Sequence, residues 1–411
     1  MLSKKLIKAI ILLIALPIFS FSQVTTSSIS GNVKDEKNNP IQGATVSATH
    51  EPSGTVYKTV SNKAGVFTLN GLRTGGPYAV KVEFVGLRTE TYTDLYLSLG
   101  EPTVINAALV GKNSKTLDDV TVNSQKKKAS TDRTGASTVI NQAILKTLPT
   151  ISRSLSDFTK LTPQANGNSF GGRDGRYNNT VVDGANLNNN FGLSTDPLPG
   201  GGANPISIDA IEEIAVNISP FDVKQGNFTG ASINAITKSG TNTIHGSVYH
   251  YFRNQDNNGK KVGSITLPDP VASSSKIWGA TLGGPIIKNK LFYFLSYETE
   301  ERSAPGITYS PKGGSGNGNV SNTSIDSLKK FSDYLQTKYG YSTGSYDNFP
   351  NFKVKNYKFL AKLSWNINSS NKLTLKYNEL NNDNDQQLNA TSIPNNPSFS
   401  VVGTSSSISR L

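Results

Sequence analysis

Apolar and polar positions along this chain alternate in three successive styles. From Ile29 to Leu109 the alternating stretches are short: ISGNV from Ile29, ATVSATH from Ala44, GVFTLNGL from Gly65 and YAVKVEFVGL from Tyr78. Turn-forming runs at Asp35–Pro40, Asn62–Gly65 and Gly75–Pro77 separate them. Period-two runs punctuated in this way predict a small antiparallel β-sandwich of about seven strands. Gly111–Thr147 is polar, and only TLDDVTV at Thr116–Val122 alternates within it. Leu117, Val120 and Val122 are its apolar positions, while Asp118 and Asp119 keep it solvated. That pattern predicts an extended peptide with no sheet of its own, suited to joining the sheet edge of a partner. Asn123–Gly135, with three lysines and no apolar period, reads as a flexible tether.

The next region, 136–243, mixes periods. Leu155, Phe158 and Leu161 recur at helical spacing behind the capping residues Ser152 or Ser154, predicting a short helix over Ser154–Leu161. Thr180–Val182 reads as a strand ended by the Asp183-Gly184 turn, and Ile206–Glu213 as a helical turn feeding a strand over Ile214–Ile218. Asp183, Glu212 and Glu213 are expected to be caps or solvated faces, because no histidine or second carboxylate cluster accompanies them. Gly200–Gly202 lacks the following lysine and hydroxyl residue of a phosphate loop.

After His245 the strands lengthen. Tyr357, Phe359, Ala361, Leu363 and Trp365 alternate with a mostly polar set running from Asn356 to Asn366, and Leu373, Leu375 and Tyr377 continue the pattern. At about 3.3 Å per residue and a tilt of about 40°, Tyr357 and Trp365 stand about 20 Å apart in height, near the rims of a lipid-facing band. Connections discriminate this from a soluble sandwich. Candidate strands at Ile244–Asn254, Lys276–Gly283, Leu291–Glu300, Val354–Asn366 and Lys372–Leu380 are joined alternately by long polar excursions and brief links. Such asymmetry belongs to transmembrane β-barrels. The second long loop carries a predicted surface helix over Ser324–Gly340. His245 and His250, five residues apart on one strand, face opposite ways, which argues against a metal pair.

Composition narrows the setting. Lys4, Lys5 and Lys8 precede the apolar run Ala9–Phe19, which is shorter than the roughly 20 residues of a spanning helix. Small residues follow, so the pattern reads as a secretory signal cleaved between Ser22 and Gln23. The formal charge is +12, three units of it on those lysines, and the remaining basic residues are scattered with no nucleic-acid motif. With no cysteine, disulfide frameworks, iron–sulfur sites and thiol nucleophiles are excluded. His50 is followed directly by Glu51 on the opposite strand face, and neither H-x-x-E nor H-E-x-x-H occurs, so a zinc hydrolase is not expected. No cofactor site and no assembled catalytic set can be read from the chain.

Four blocks carry a family resemblance: LPTISRSLSDFTKLTP from Leu148, GGRDGRYNNTVVDGANLNN from Gly171, IDAIEEIAV from Ile208 and GNFTGASINAITKSGTNTIHGSVYHYFRN from Gly226. In this order they resemble the plug of TonB-dependent outer-membrane receptors of the Oar-like branch, and LGGPIIKNKLFYFLSYE from Leu282 resembles the start of their barrel. The Ile29–Leu109 pattern resembles a carboxypeptidase-regulatory-like domain with a transthyretin-type sandwich. The resemblance implies a mainly β chain: a signal peptide over 1–22, the sandwich over 23–110, a linker over 111–135, an α/β plug over 136–243, and the first strands of an antiparallel transmembrane β-barrel over 244–411. It implies that Leu117, Asp118, Asp119, Val120, Thr121 and Val122 form the box gripped by the TonB energy-transducing complex. It also makes Asn188, Asn189 and Asn190 candidate ligand-facing plug residues. The implied partners are TonB, outer-membrane lipid and an external small-molecule, glycan or peptide ligand, with no nucleic acid. The 171 residues after Gly240 are too few for a barrel of the 22-stranded class, so the chain reads as the amino-terminal part of a longer receptor. A surface binding or adhesion protein that does not transport is the competing class.

Overall fold

The computed structural model describes residues 24–111, 120–123, 137–150, 152–188, 203–220, 225–266, 272–305, 309–315, 319–347, 351–368, 371–387 and 402–410. Strands dominate throughout. The sandwich contains β1 (Ser27–Asp35), β2 (Thr45–His50), β3 (Thr55–Val60), β4 (Val66–Leu72), β5 (Gly75–Glu83), β6 (Glu90–Leu97), β7 (Pro102–Val104) and β8 (Ala107–Leu109). Alternation decides its inside: Ile29 and Val33 of β1, Val46 of β2, Phe67 of β4, and Tyr78 and Val80 of β5 form one buried core.

Two features differ from the sequence reading of this domain. It has eight strands, and β7 and β8 run parallel to β1, so the sandwich is not purely antiparallel. Each is three residues long, too short for alternation to reveal, and pairing with β1 is a tertiary contact. The second difference is β9 (Val120–Asn123), which extends the other sheet in the order β3-β2-β5-β6-β9. The segment expected to stand alone is, at its described end, a paired strand.

The central unit is a five-stranded sheet in the order Ser137–Asn141, Ile211–Asn217, Ser232–Thr237, Asn179–Val182, Ala185–Asn186. Every residue of Ser232–Thr237 and of Asn179–Val182 is buried, as suits strands covered on both faces. Leu155–Thr159 is the expected short helix, with Ser154 and Asp157 forming a reciprocal capping box. Asp183 (φ 46°) and Gly184 (φ 86°) make the tight turn into Ala185–Asn186. The strand expected from Ile214 begins at Ile211, because the Ser207 cap supports only a three-residue helical turn over Ile208–Ala210.

The last region is a six-stranded antiparallel sheet of consecutive neighbours: His245–Asn254, Ser274–Ile287, Leu291–Ala304, Phe352–Asn366, Lys372–Gln387 and Val402–Arg410. Among the described residues the sheet is open, its first and last strands unpaired with each other. Four strands are longer than expected, reaching 16 residues in Lys372–Gln387. In Lys372–Gln387 the extra residues, from Asn381 to Gln387, are all polar, so hydrophobicity does not announce them. Long and short connections alternate as expected, and the second long one holds the helix Ile325–Tyr339, capped by Ser324 and by Gly340 at φ 63°.

The two faces of this sheet are inverted relative to a soluble protein. Trp278, Tyr297, Leu375 and Tyr377 are exposed on one face, whereas Glu298, Glu300, Asn356 and Lys358 are buried on the other. Lipid is the solvent that suits an exposed aromatic and aliphatic wall with a polar interior. On that outer face His250 and Trp278, opposite one another in the ladder, stack with ring centroids 3.9 Å apart.

Candidate functional site

The central unit sits against the polar face of the long-stranded sheet. At the level of Phe294 and Leu360 the contact is apolar, and both side chains join the core made by Ile140, Phe158, Ile214 and Ile233. Further along the same strands it becomes ionic. Lys358 Nζ lies 2.6 Å from Glu298 Oε1 and 3.4 Å from Glu300 Oε2, and Asn356 Nδ2 donates to Glu300 at 3.1 Å. Glu298 also accepts from Tyr249 OH at 2.8 Å and from Ser207 Oγ at 2.6 Å. Ser207 caps the helical turn of the central unit, so this carboxylate holds wall and unit together. Nearby, Arg153 pairs with Asp209 and lies 3.9 Å from the Tyr251 ring centroid.

Asp183 forms a second bridge. Its turn places the carboxylate on Thr237, whose backbone N–H donates at 2.8 Å, and 3.7 Å from both Lys362 Nζ and Lys376 Nζ of the wall. Lys362 further donates to the Thr237 carbonyl at 3.0 Å, and Lys376 to that of Val182 at 3.1 Å. Burial by itself would raise the Asp183 pKa, but the two lysines and the Thr237 donors hold it below the ordinary carboxylate value. Asp183 is therefore an internal anchor, not the cap or solvated carboxylate expected from sequence. Its lysine partners lie well over a hundred residues away, and no local signal pairs them.

A third set of contacts fastens the sandwich to the other two regions. Arg73 donates to the carbonyls of Ser239 at 2.8 Å and Gly240 at 3.1 Å, where the central unit passes into the wall. Asn242 N–H donates to the Pro52 carbonyl at 2.8 Å, and Lys372 Nζ stands 3.0 Å from the Tyr57 ring centroid. Leu99 N–H donates to Glu213 Oε1 at 2.7 Å. Burial, with Glu212 and Glu101 adding negative charge and outweighing the Leu99 bond, pushes the Glu213 carboxyl up to about 7. Glu213, expected on a solvated face, is an interdomain acceptor instead. Between the three regions lies a cavity of about 360 Å³ whose charged lining includes Arg73, Lys362, Lys372 and Lys376 against Asp183 and Glu212.

The residues singled out from sequence are scattered around this junction. Val120, Thr121 and Val122 lie in β9, whereas Leu117, Asp118 and Asp119 fall outside the described residues, as do Ser22 and Gln23 of the expected cleavage site, Asn189 and Asn190. Asn188 is committed internally: its Oδ1 accepts from Thr180 N–H at 2.6 Å and its Nδ2 donates to Asn179 at 2.8 Å. His50 is buried against Ser53, and burial pushes its pKa down to about 3, with Arg73 and Lys372 adding to the effect. Among the described residues no three histidine, cysteine, aspartate or glutamate side chains gather as metal ligands, and no helix is long and apolar enough to cross a membrane.

With this geometry in place, known proteins can be compared. Residues 28–110 match the carboxypeptidase regulatory-like domain, and residues 236–409 match an outer membrane beta barrel domain. The chain thus combines a regulatory-like sandwich with an outer-membrane β-barrel domain, and it is an outer-membrane protein. It is homologous to TonB-dependent transporters. Over 154 residues it is 31% identical to the TonB-dependent transporter Oar of Myxococcus xanthus, covering 35% of this chain and 14% of that protein. Over 176 residues it is 30% identical to the probable TonB-dependent siderophore receptor PirA of Acinetobacter baumannii, covering 38% of this chain and 22% of that protein. The chain therefore spans less than a quarter of the length of either relative. Among solved structures, the siderophore receptor PirA from Acinetobacter baumannii aligns at 17% identity and a TM-score of 0.38, over 67% of this chain and 43% of that one.

Proposed function

We propose that this chain belongs to a TonB-dependent uptake receptor, with no enzymatic role, whose central unit is the plug and whose six-stranded sheet is part of the barrel wall. The observation that carries this reading is how the plug is held. Its contact with the wall combines apolar packing at Phe294 and Leu360 with buried ion pairs and hydrogen bonds on either side of Leu360, at Asp183 level with Phe294 and at Glu298 further toward the long loops. Such pairs fix one arrangement while adding little net stability over an apolar contact, so the interface can be specific without being irreversible. A permanent plug would be better served by apolar packing throughout. Energy would come through Leu117–Val122, the segment that TonB is proposed to grip by strand addition.

The test is deletion of Thr116–Val122 in the full-length protein. Purified periplasmic domain of TonB should bind the parent and not the deletion, while surface expression is unchanged. A deletion that binds TonB as the parent does would overturn this placement of the box, and a parent that never binds it would favour a surface binding protein that does not transport.

A further inference from the structure

β6 is the outermost strand of the sandwich's own sheet, and its free edge would present a row of unpaired backbone donors and acceptors. In this fold the edge is occupied. Val120–Asn123 pairs with it in parallel, with Glu90 opposite Val120, Thr91 opposite Thr121, Tyr92 opposite Val122 and Thr93 opposite Asn123. The strand comes from beyond the domain: the chain completes the sandwich at β8, bridges back from Gly111 to Leu87, and only later returns to β6. Three of its four residues belong to the segment assigned above as the TonB box.

We propose that the β6 edge of the sandwich is a docking site for this chain's own TonB box, and that TonB must take the box from it. The inference rests on the box reading. Its physical basis is that both complexes are built by strand addition, and both draw on the backbone of residues 120–122. A ladder of four residues is short enough to exchange, yet it fixes the register and direction in which the box is presented.

The receiving edge is rigidly supported. Glu90 accepts from Ala108 N–H at 3.0 Å and from Tyr92 OH at 2.7 Å, and Tyr92 OH also reaches the Asn106 carbonyl at 3.1 Å, so β6 is tied to the opposite sheet. The sandwich itself is fastened to plug and wall through Arg73, Leu99 and Asn242. A box held on β6 is consequently held at a defined place relative to the plug, and the regulatory-like domain becomes a keeper of the coupling segment. A free tether would instead leave the box equally reachable at all times.

These 411 residues contain no cysteine, so a disulfide engineered across the pairing meets no competing thiol among them. Directly opposed residues on neighbouring strands, about 4.8 Å apart, lie within the Cα separation that a disulfide bridges. In the full-length protein, T91C/T121C should close on mild oxidation, whereas E90C/N123C, three positions out of register, should not. The locked form should bind the purified periplasmic domain of TonB at least tenfold more weakly than the same protein after reduction, which should match the parent. Failure of T91C/T121C and of the next pair, Y92C/V122C, to close would overturn the docking site. Closure with unchanged TonB affinity would overturn the competition. If the parent itself fails to bind TonB, the box assignment falls while the crosslink still reports on the β6 pairing, so the two failures are separable.

Discussion

Lys358 and Glu298 occupy directly opposed positions on neighbouring wall strands, and their charged ends meet at 2.6 Å in the buried interior. Cross-strand opposition sets the pair and the polar inner face buries it. Ser207 then brings the central unit to the same carboxylate. One ion pair therefore belongs both to the wall and to the contact between wall and central unit.

Removing one charge from this pair is expected to cost more than removing both. Lys358→Met leaves Glu298 buried without its cation, while Glu300 keeps Arg302, a change of about 3–5 kcal/mol for a broken buried pair. Lys358→Met combined with Glu298→Gln should recover much of that loss. Thermal unfolding of the full-length receptor in detergent reads the comparison, and equal destabilisation by the single and double variants would contradict it.

Asp183 should make the contact between central unit and wall acid-sensitive. Its pKa is depressed in the fold, so its contribution is complete above the ordinary carboxylate value of 3.8 and is lost as pH falls through the depressed one. Asp183→Asn should remove that acid dependence and loosen the central unit from the wall at neutral pH. Hydrogen exchange of the Thr237 amide, which donates to this carboxylate, is the direct measure.

Glu213 should act in the opposite sense. Raised from 4.5 to about 7, its contribution to docking the sandwich is greatest below pH 4.5 and is lost as pH rises through about 7. Glu213→Gln keeps an acceptor for Leu99 N–H without the charge, so docking should lose its pH dependence around neutrality. Protection of the Leu99 amide across that range tests it, and an unaltered pH profile in the variant would rule the group out.

Val120→Pro removes a backbone donor and restricts the preceding residue, Asp119, to extended geometry, whereas Val120→Ala keeps the ladder. The proline variant should lose TonB binding with membrane insertion and surface exposure intact, and the alanine variant should be weakened only in part. Equal binding by the two would show that the segment is not recognised through its backbone.

Much of this protein could be read from sequence because its determinants are local. Period-two alternation marked the wall strands around Tyr357 and Leu373, the Asp183-Gly184 turn required residues that accept positive φ, and Ser152 or Ser154 ahead of Leu155, Phe158 and Leu161 announced a short capped helix. Alternation also showed that the two wall faces differ, and the unequal loops showed which kind of protein carries them. What tertiary structure alone decided was the partnership of charges. Asp183 finds Lys362 and Lys376, Glu213 finds the Leu99 amide, and Val120–Asn123 finds β6. A carboxylate in a turn has the same local pattern whether it faces water or a buried lysine, and an extended peptide has the same alternation alone or paired. The difference lies in long-range packing, which brings distant segments to one place and sets the dielectric around them.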